Sequence, residues 1–225
     1  MVQYEAVIDG VSIVFVGSFN PKIFHPGWFA AQGLIRPEEA EAADITVVHS
    51  ELVAIQMEWA RVEVTTNRAL FATTDFVSAE PLRDLALGTF LTLSHTPISK
   101  MGLNRDRHFK MANQDAWNAI GDSLAPKGHW RSILNCPGMR SLTMEGVRED
   151  GHAGYVRVKV EPSARVEHGV FVALNDHYEL KNPDEPGTCE LIMNLLKDSW
   201  ASFSSRSETV GPSLLESALG GGDGD

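Results

Sequence analysis

The chain has 225 residues, 43% of them apolar, and carries 19 Lys and Arg against 30 Asp and Glu, a formal net charge of −11. Its length and apolar fraction suit a buried core in one large or two small domains. The charge argues against broad contact with nucleic-acid backbones, which relies on Lys and Arg, and no run approaches the roughly 20 apolar residues that span a bilayer. Met1 to Glu5 lack the basic and apolar regions of a signal peptide, and Cys136 and Cys189 stand far apart without metal-type spacing. Together these point to a cytoplasmic protein with an idle pair of reduced thiols.

Residues 11–16, Val-Ser-Ile-Val-Phe-Val, are β-rich and close at Gly17, which predicts a strand. Pro21 and Pro26 break the next stretch, after which residues 28–34 make a short helix and Pro37-Glu38-Glu39 opens another. Residues 45–49, 52–59, 61–65 and 69–73 then form an antiparallel meander. Ser78 is the expected N-cap of a helix over 80–93, with Leu82, Leu85, Ala86 and Phe90 on one face. The second half opens with a strand over 96–103. Helical stretches follow at 114–124 and 128–134, then strands at 140–148, 155–161 and 168–174, with Asp150-Gly151 as a hairpin turn. The last helix is expected over 189–203, where Ile192, Leu196, Trp200 and Phe203 fall at helical spacing. Residues 206–225 are polar, then Gly-rich and acidic, and predict a mostly disordered tail that is dispensable for folding, with one helical turn at Ser213 to Leu219 when bound as the alternative there.

Both halves read strand, helix, antiparallel strands, helix, and Ala60-Arg61-Val62-Glu63 recurs as Ala164-Arg165-Val166-Glu167. The expectation is an α+β fold of two pseudo-repeats, residues 1–94 and 95–205, forming one curved antiparallel sheet with helices on one face. Arg61 and Arg165 would then occupy corresponding strand positions. The arrangement resembles that of TATA-binding-protein-like and helix-grip folds.

Eight histidines are scattered, none three or four residues from another as helical metal ligands would be, so neither a metal nor another cofactor is expected. No phosphate loop, Gly-x-Gly-x-x-Gly or Gly-x-Ser-x-Gly occurs. Asn175-Asp176-His177-Tyr178 follows a strand, and Asp176, His177 and His108 are the candidates for acid–base work. Adjacent strand residues point to opposite faces, however, so a strand-end turn is the default for Asp176 and His177. His108 closes Asn104-Arg105-Asp106-Arg107-His108, which reads as a solvated loop after a strand. The most distinctive string is residues 19–29. There Phe19, Asn20, Lys22, Phe24, His25 and Trp28 offer aromatic bulk and polar groups between two prolines, a mixture suited to a preformed contact surface. The competing reading is that its aromatics plug one end of the core. Asn104 would lie in the matching loop of the second half.

Pro97-Ile98-Ser99-Lys100-Met101-Gly102-Leu103-Asn104 resembles a motif of a sporadically distributed family of uncharacterised bacterial proteins, in which a strand ends in a Gly-Leu-Arg-Tyr-x-Asn-like sequence. The Arg-Tyr pair is missing here between Leu103 and Asn104. The later order is similar too: a strand ending near Asn175, Asp176 and Tyr178, then an amphipathic helix with Trp200 and Phe203 at its aromatic end. The likeness covers roughly the second half. That family carries no activity to transfer; what its patchy distribution implies is mobile bacterial gene clusters, antiviral defence among them. With no catalytic signature in the chain, the leading expectation is a non-enzymatic binding or assembly component. It would dock a protein partner, a second copy of itself or a small ligand, rather than nucleic acid or a membrane. A hydrolase built from His and Asp residues and a small-ligand sensor are the competing readings.

Overall fold

In the computed structural model, which describes residues 4–49, 51–183 and 185–220, nine strands make one antiparallel sheet. The first half contributes β1 (Tyr4–Gly17), α1 (Pro26–Ala31), α2 (Pro37–Ala42), β2 (Asp44–His49), β3 (Leu52–Gln56), β4 (Arg61–Thr65), β5 (Arg68–Thr73) and α3 (Ala79–Thr92). The second contributes β6 (Ile98–Met111), α4 (Gln114–Leu124), β7 (Leu142–Val147), β8 (Gly154–Pro162), β9 (Gly169–Glu179) and α5 (Thr188–Gly220). The expected helix over 128–134 is instead a single 3₁₀ turn, Lys127–His129, followed by irregular chain.

The strand order is β2-β3-β4-β5-β1-β6-β9-β8-β7. The long strands β1 and β6 meet at the centre, and β5, β4, β3 on one side answer β9, β8, β7 on the other. The α+β fold of two pseudo-repeats is therefore present, but the Ala-Arg-Val-Glu recurrence does not mark it. Arg61 begins β4, whereas Arg165 lies in the turn between β8 and β9. One row of register partners crosses all nine strands: Asp44, Gln56, Arg61, Ala72, Ser12, Asn104, Asn175, Arg157 and Glu145. Counted outward from the Ser12–Asn104 pair at the seam, the counterpart of Arg61 is Arg157.

Alternation sorts the two faces. Val11, Ile13 and Phe15 of β1 are buried and lie in register with Phe71 and Ala69 on β5 and with Leu103 and Met101 on β6. The helices pack on this face, with Phe29, Leu82, Phe90, Leu196 and Phe203 in the same core. A bulge between Ala6 and Ile8 inserts one residue into β1. It lets Tyr4 contact Phe109 edge-on at 5.7 Å on the helix face while Asp9 and Val11 keep that face further along. Without it the parity of one end would invert.

The expected disordered tail is corrected through residue 220, and residues 221–225 lie outside the described residues. α5 continues to Gly220, and Ser207, Gly211, Leu215 and Ala218 extend the buried stripe begun by Ile192, Leu196, Trp200 and Phe203. Leu215 and Ala218 join Phe109, Ile120, Val160, Val170 and Val172 in a second apolar cluster beneath α4. The sequence concealed this because the stripe there is made of small residues, which allow close approach but carry little hydrophobic signal. Pro212 would ordinarily break the helix, since it has no amide to donate to the carbonyl of Glu208. The Arg107 guanidinium donates to that carbonyl instead, at 3.0 Å.

Gly211 faces the Phe109 ring so closely that an added Cβ would stand 2.6 Å from Cζ. Gly211→Ala should therefore destabilise the protein by about 1–3 kcal/mol through overpacking, although alanine gains about 1 kcal/mol over glycine in a helix. Thermal unfolding measures this, and Phe109→Leu in the same chain should relieve part of the loss. A Gly211→Ala protein that melts higher than the native one would place this end of α5 away from β6.

Candidate functional site

The sheet face opposite the helices carries the polar ends of the alternation. Along the nine-strand row, Asn104 Nδ2 donates to Ser12 Oγ at 3.2 Å, Asn175 Nδ2 donates to Asn104 Oδ1 at 2.6 Å, and Arg157 donates to Glu145 at 2.7 Å. Beside it, the His177 ring stacks on Tyr155 at 4.5 Å and meets Glu179 at 3.0 Å, while Lys100 pairs with Glu179 at 2.8 Å. Arg157 lies over the Tyr155 ring at 4.4 Å.

A cleft of about 590 Å³ opens at the centre of this face. Its floor is β1 and β6, with Ser12, Asp106 and His108; Arg61 and Arg68 stand on one side, and the β8–β9 turn brings Arg165 to the other beside Phe171. That turn is tied down by Ser163. Its hydroxyl oxygen accepts from the amides of Arg165 and Val166 and lies 2.8 Å from His108 Nδ1. With both amides donating to Ser163, its own proton goes to Nδ1, so neutral His108 carries its proton on Nε2. Burial, then the nearby Arg165 charge, pushes the His108 pKa down and favours that neutral form. Burial also raises the Asp106 carboxyl above its ordinary range, opposed by Arg165 and Lys159; the side chain nonetheless keeps an exposed edge toward the cleft.

The other face holds a second set of charges, sealed under α5. Arg105 makes a two-point pair with Asp9 at 2.8 and 2.7 Å, donates to Ser207 Oγ at 3.1 Å and lies 3.5 Å above the Phe76 ring. Asp176 is fully buried and pairs with Arg206; burial raises its pKa and Arg206 pulls it back. Arg148 covers the Tyr178 ring at 3.6 Å, donates to its hydroxyl at 2.6 Å and pairs with Asp150.

These placements correct two readings. Asn104 to His108 is not a solvated loop but the middle of β6, with Arg105 and Arg107 turned to the helices and Asn104, Asp106 and His108 to the open face. Asn175 to Tyr178 is not a strand-end turn but part of β9. Asp176 and His177 consequently sit on opposite faces and do not meet. In the 19–29 string, Phe19, Phe24 and Phe29 are buried around Phe90, and Trp28 packs partly against them. Asn20 accepts from the Lys22 amide at 3.2 Å, His25 Nδ1 accepts from the Gly27 amide at 3.1 Å to cap α1, and Lys22 is exposed. The cleft residues Ser12, Arg61, Arg68, Asp106 and Arg165 escaped the sequence reading because strand register, not chain proximity, brings them together.

Among the described residues no three His, Cys, Asp or Glu converge as metal ligands do, and no helix is long and apolar enough to cross a membrane. Cys189 is buried against the Phe90 carbonyl, which pushes its thiol up to about 11, and Cys136 is exposed; neither forms a disulfide. No family model matches the chain, and no curated protein matches it.

Two outcomes follow. Unfolded histidine titrates near pH 6.5, and folded His108 titrates lower, so below about pH 6.5 the unfolded chain takes up a proton that the folded one does not. Stability contributed at this position is thus lost as pH falls through that value. His108→Gln should lose less melting temperature than the native protein between about pH 7.5 and 5.5, and equal losses would contradict a depressed His108. Arg206→Ala should destabilise by about 2–3 kcal/mol by stranding buried Asp176, toward the low end because water reaches Arg206. Replacing the pair together, Asp176→Leu with Arg206→Met, should cost less in chemical denaturation than Arg206→Ala alone.

Proposed function

We propose that the protein is a non-enzymatic binding component of a multi-protein assembly in the bacterial cytoplasm, and that the open sheet face is its recognition surface. The observation that carries this reading is the asymmetry of the sheet. All the core-packing helices cover one face, and the other keeps a row that is polar on eight of its nine strands and a cleft of about 590 Å³. Exposed arginines rim that cleft, and among the described residues Arg68 and Arg165 have no ion-pair partner. In a chain of net charge −11, such a place suits an acidic partner or ligand. The likeness to the sporadically distributed bacterial family supports the setting and adds no activity.

One observation favours the enzymatic alternative: Asp106 and His108 lie two residues apart on the same face of β6 and both line the cleft. The hydroxyl held against His108 is that of Ser163 at 2.8 Å, but its oxygen already accepts from the amides of Arg165 and Val166, so its lone pairs are committed to the β8–β9 turn rather than free to attack. The experiment is a comparison of variants in the native host, each first shown to be folded. Arg68→Glu with Arg165→Glu should abolish the protein's activity in the cell, whereas Lys22→Ala should leave it intact. Loss with Lys22→Ala alone would move recognition to the 19–29 loop. Loss with Asp106→Asn and His108→Gln, but not with the arginine changes, would favour an enzyme.

A further inference from the structure

The cleft is richer in donors than in acceptors, and this deepens the reading just given, on which it rests. Arg61 is partly neutralised by Glu63, but Arg68 and Arg165 are exposed and unpaired among the described residues. Ser12 Oγ accepts from Asn104, which leaves its own proton free to donate. His108 presents Nε2–H. The carboxylates are fewer: Glu161 is paired with Lys159 at 2.8 Å, and Asp106 faces Arg165 and Lys159. Leu70, Ala72 and Phe171 supply an apolar wall.

We infer that this cleft binds a small organic anion of about mononucleotide size, its phosphate or carboxylate held by Arg68 at one end of the cleft and a hydrogen-bond donor at its other end directed to Asp106 beside Arg165. The volume falls within the range of small-molecule sites, roughly 300–1,000 Å³. A single guanidinium recognises phosphate or carboxylate by two parallel hydrogen bonds. The apolar wall favours a ligand with a flat or aliphatic body over a bare inorganic ion. A raised Asp106 pKa fits the same picture, since a group that resists ionisation opposes an approaching anion less.

The test is calorimetric titration of the full chain with adenosine 5′-monophosphate, adenosine and citrate at low salt. The nucleotide or citrate should bind and adenosine should not; binding of the nucleotide alone assigns a phosphate, of citrate alone a carboxylate. Affinity should fall about tenfold or more in Arg68→Ala with Arg165→Ala, with an unchanged melting temperature because both side chains are exposed. Added salt should weaken binding, and Lys22→Ala should not. Adenosine binding as well as its phosphate would overturn the anion assignment. So would the absence of binding by both anions at millimolar concentration. The recognition-face reading is judged separately, by the Arg68→Glu and Arg165→Glu phenotype in the host, so a macromolecular acidic partner on the same face would satisfy that reading while sinking this inference.

Discussion

Two guanidiniums on β6, Arg105 buried and Arg107 half-buried, lie between the central seam and α5, and the helix above them is arranged around answering them. A buried charge is tolerated only when paired and hydrogen-bonded. Asp9 answers Arg105 from the neighbouring central strand, and Ser207 answers it from the helix above. Arg107 reaches the same stretch of helix and donates to the Glu208 carbonyl left vacant by Pro212. These contacts fix how close α5 can come to the sheet, which is why Ser207 and Gly211 replace the large apolar residues of the first turns. They also join the larger core under α3 and the first half of α5 to the smaller one under α4 and its last turns.

The same strand sets the chemistry of the other face. With Arg105 and Arg107 committed to the helices, alternation places Asn104, Asp106 and His108 on the open side with no freedom of choice. A polar residue at each of these positions would be wasteful in a strand covered on both faces. In a sheet covered on one, it produces a hydrophilic surface whose side chains bond to one another across strands. Both sets of side chains are pinned by the long β1–β6 register, so the cleft floor inherits the rigidity of the seam rather than that of a loop.

The regular elements were legible wherever hydrophobic period and punctuation agreed: β4, α4 and α3 fall at or within a residue of their expected bounds. Legibility failed where polar residues sit inside regular structure. Asn104 to His108 and Asn175 to Tyr178 looked like loops because strand propensity gives no weight to Arg, Asp, Asn and His. Here Arg105, Asn104, Asn175 and Asp176 are answered by cross-strand or helix partners that local sequence does not reveal, while Asp106 stays exposed at the cleft. The last turns of α5 failed for a related reason, since Ser, Gly and Pro signal a break unless the groups they leave open are satisfied elsewhere. The repeat was real at the level of element order, while the four-residue recurrence taken as its mark was coincidence: register pairs Arg61 with Arg157. Of the candidate site, His108 and Asn104 were named from sequence. The arginines around them were not, because they come from β4, β5 and the β8–β9 turn and converge only in the folded sheet.

The arginines of the open face also bear on how an acidic protein can receive an acidic ligand. A net charge of −11 creates a repulsive field at long range. At physiological salt that field is screened beyond about 8 Å, so a distant acid on the surface has little say over what happens inside the cleft. Within that distance the deciding charges are Arg61, Arg68 and Arg165 against Asp106 and Glu161, and among the described residues two of the three arginines lack an ion-pair partner. Lowering the salt extends the repulsive field and strengthens the local attraction at the same time. On this balance, affinity for an anion should vary less steeply with ionic strength than the arginine count alone implies, while association should be slower than for a basic protein. The local site, not the global charge, determines what binds.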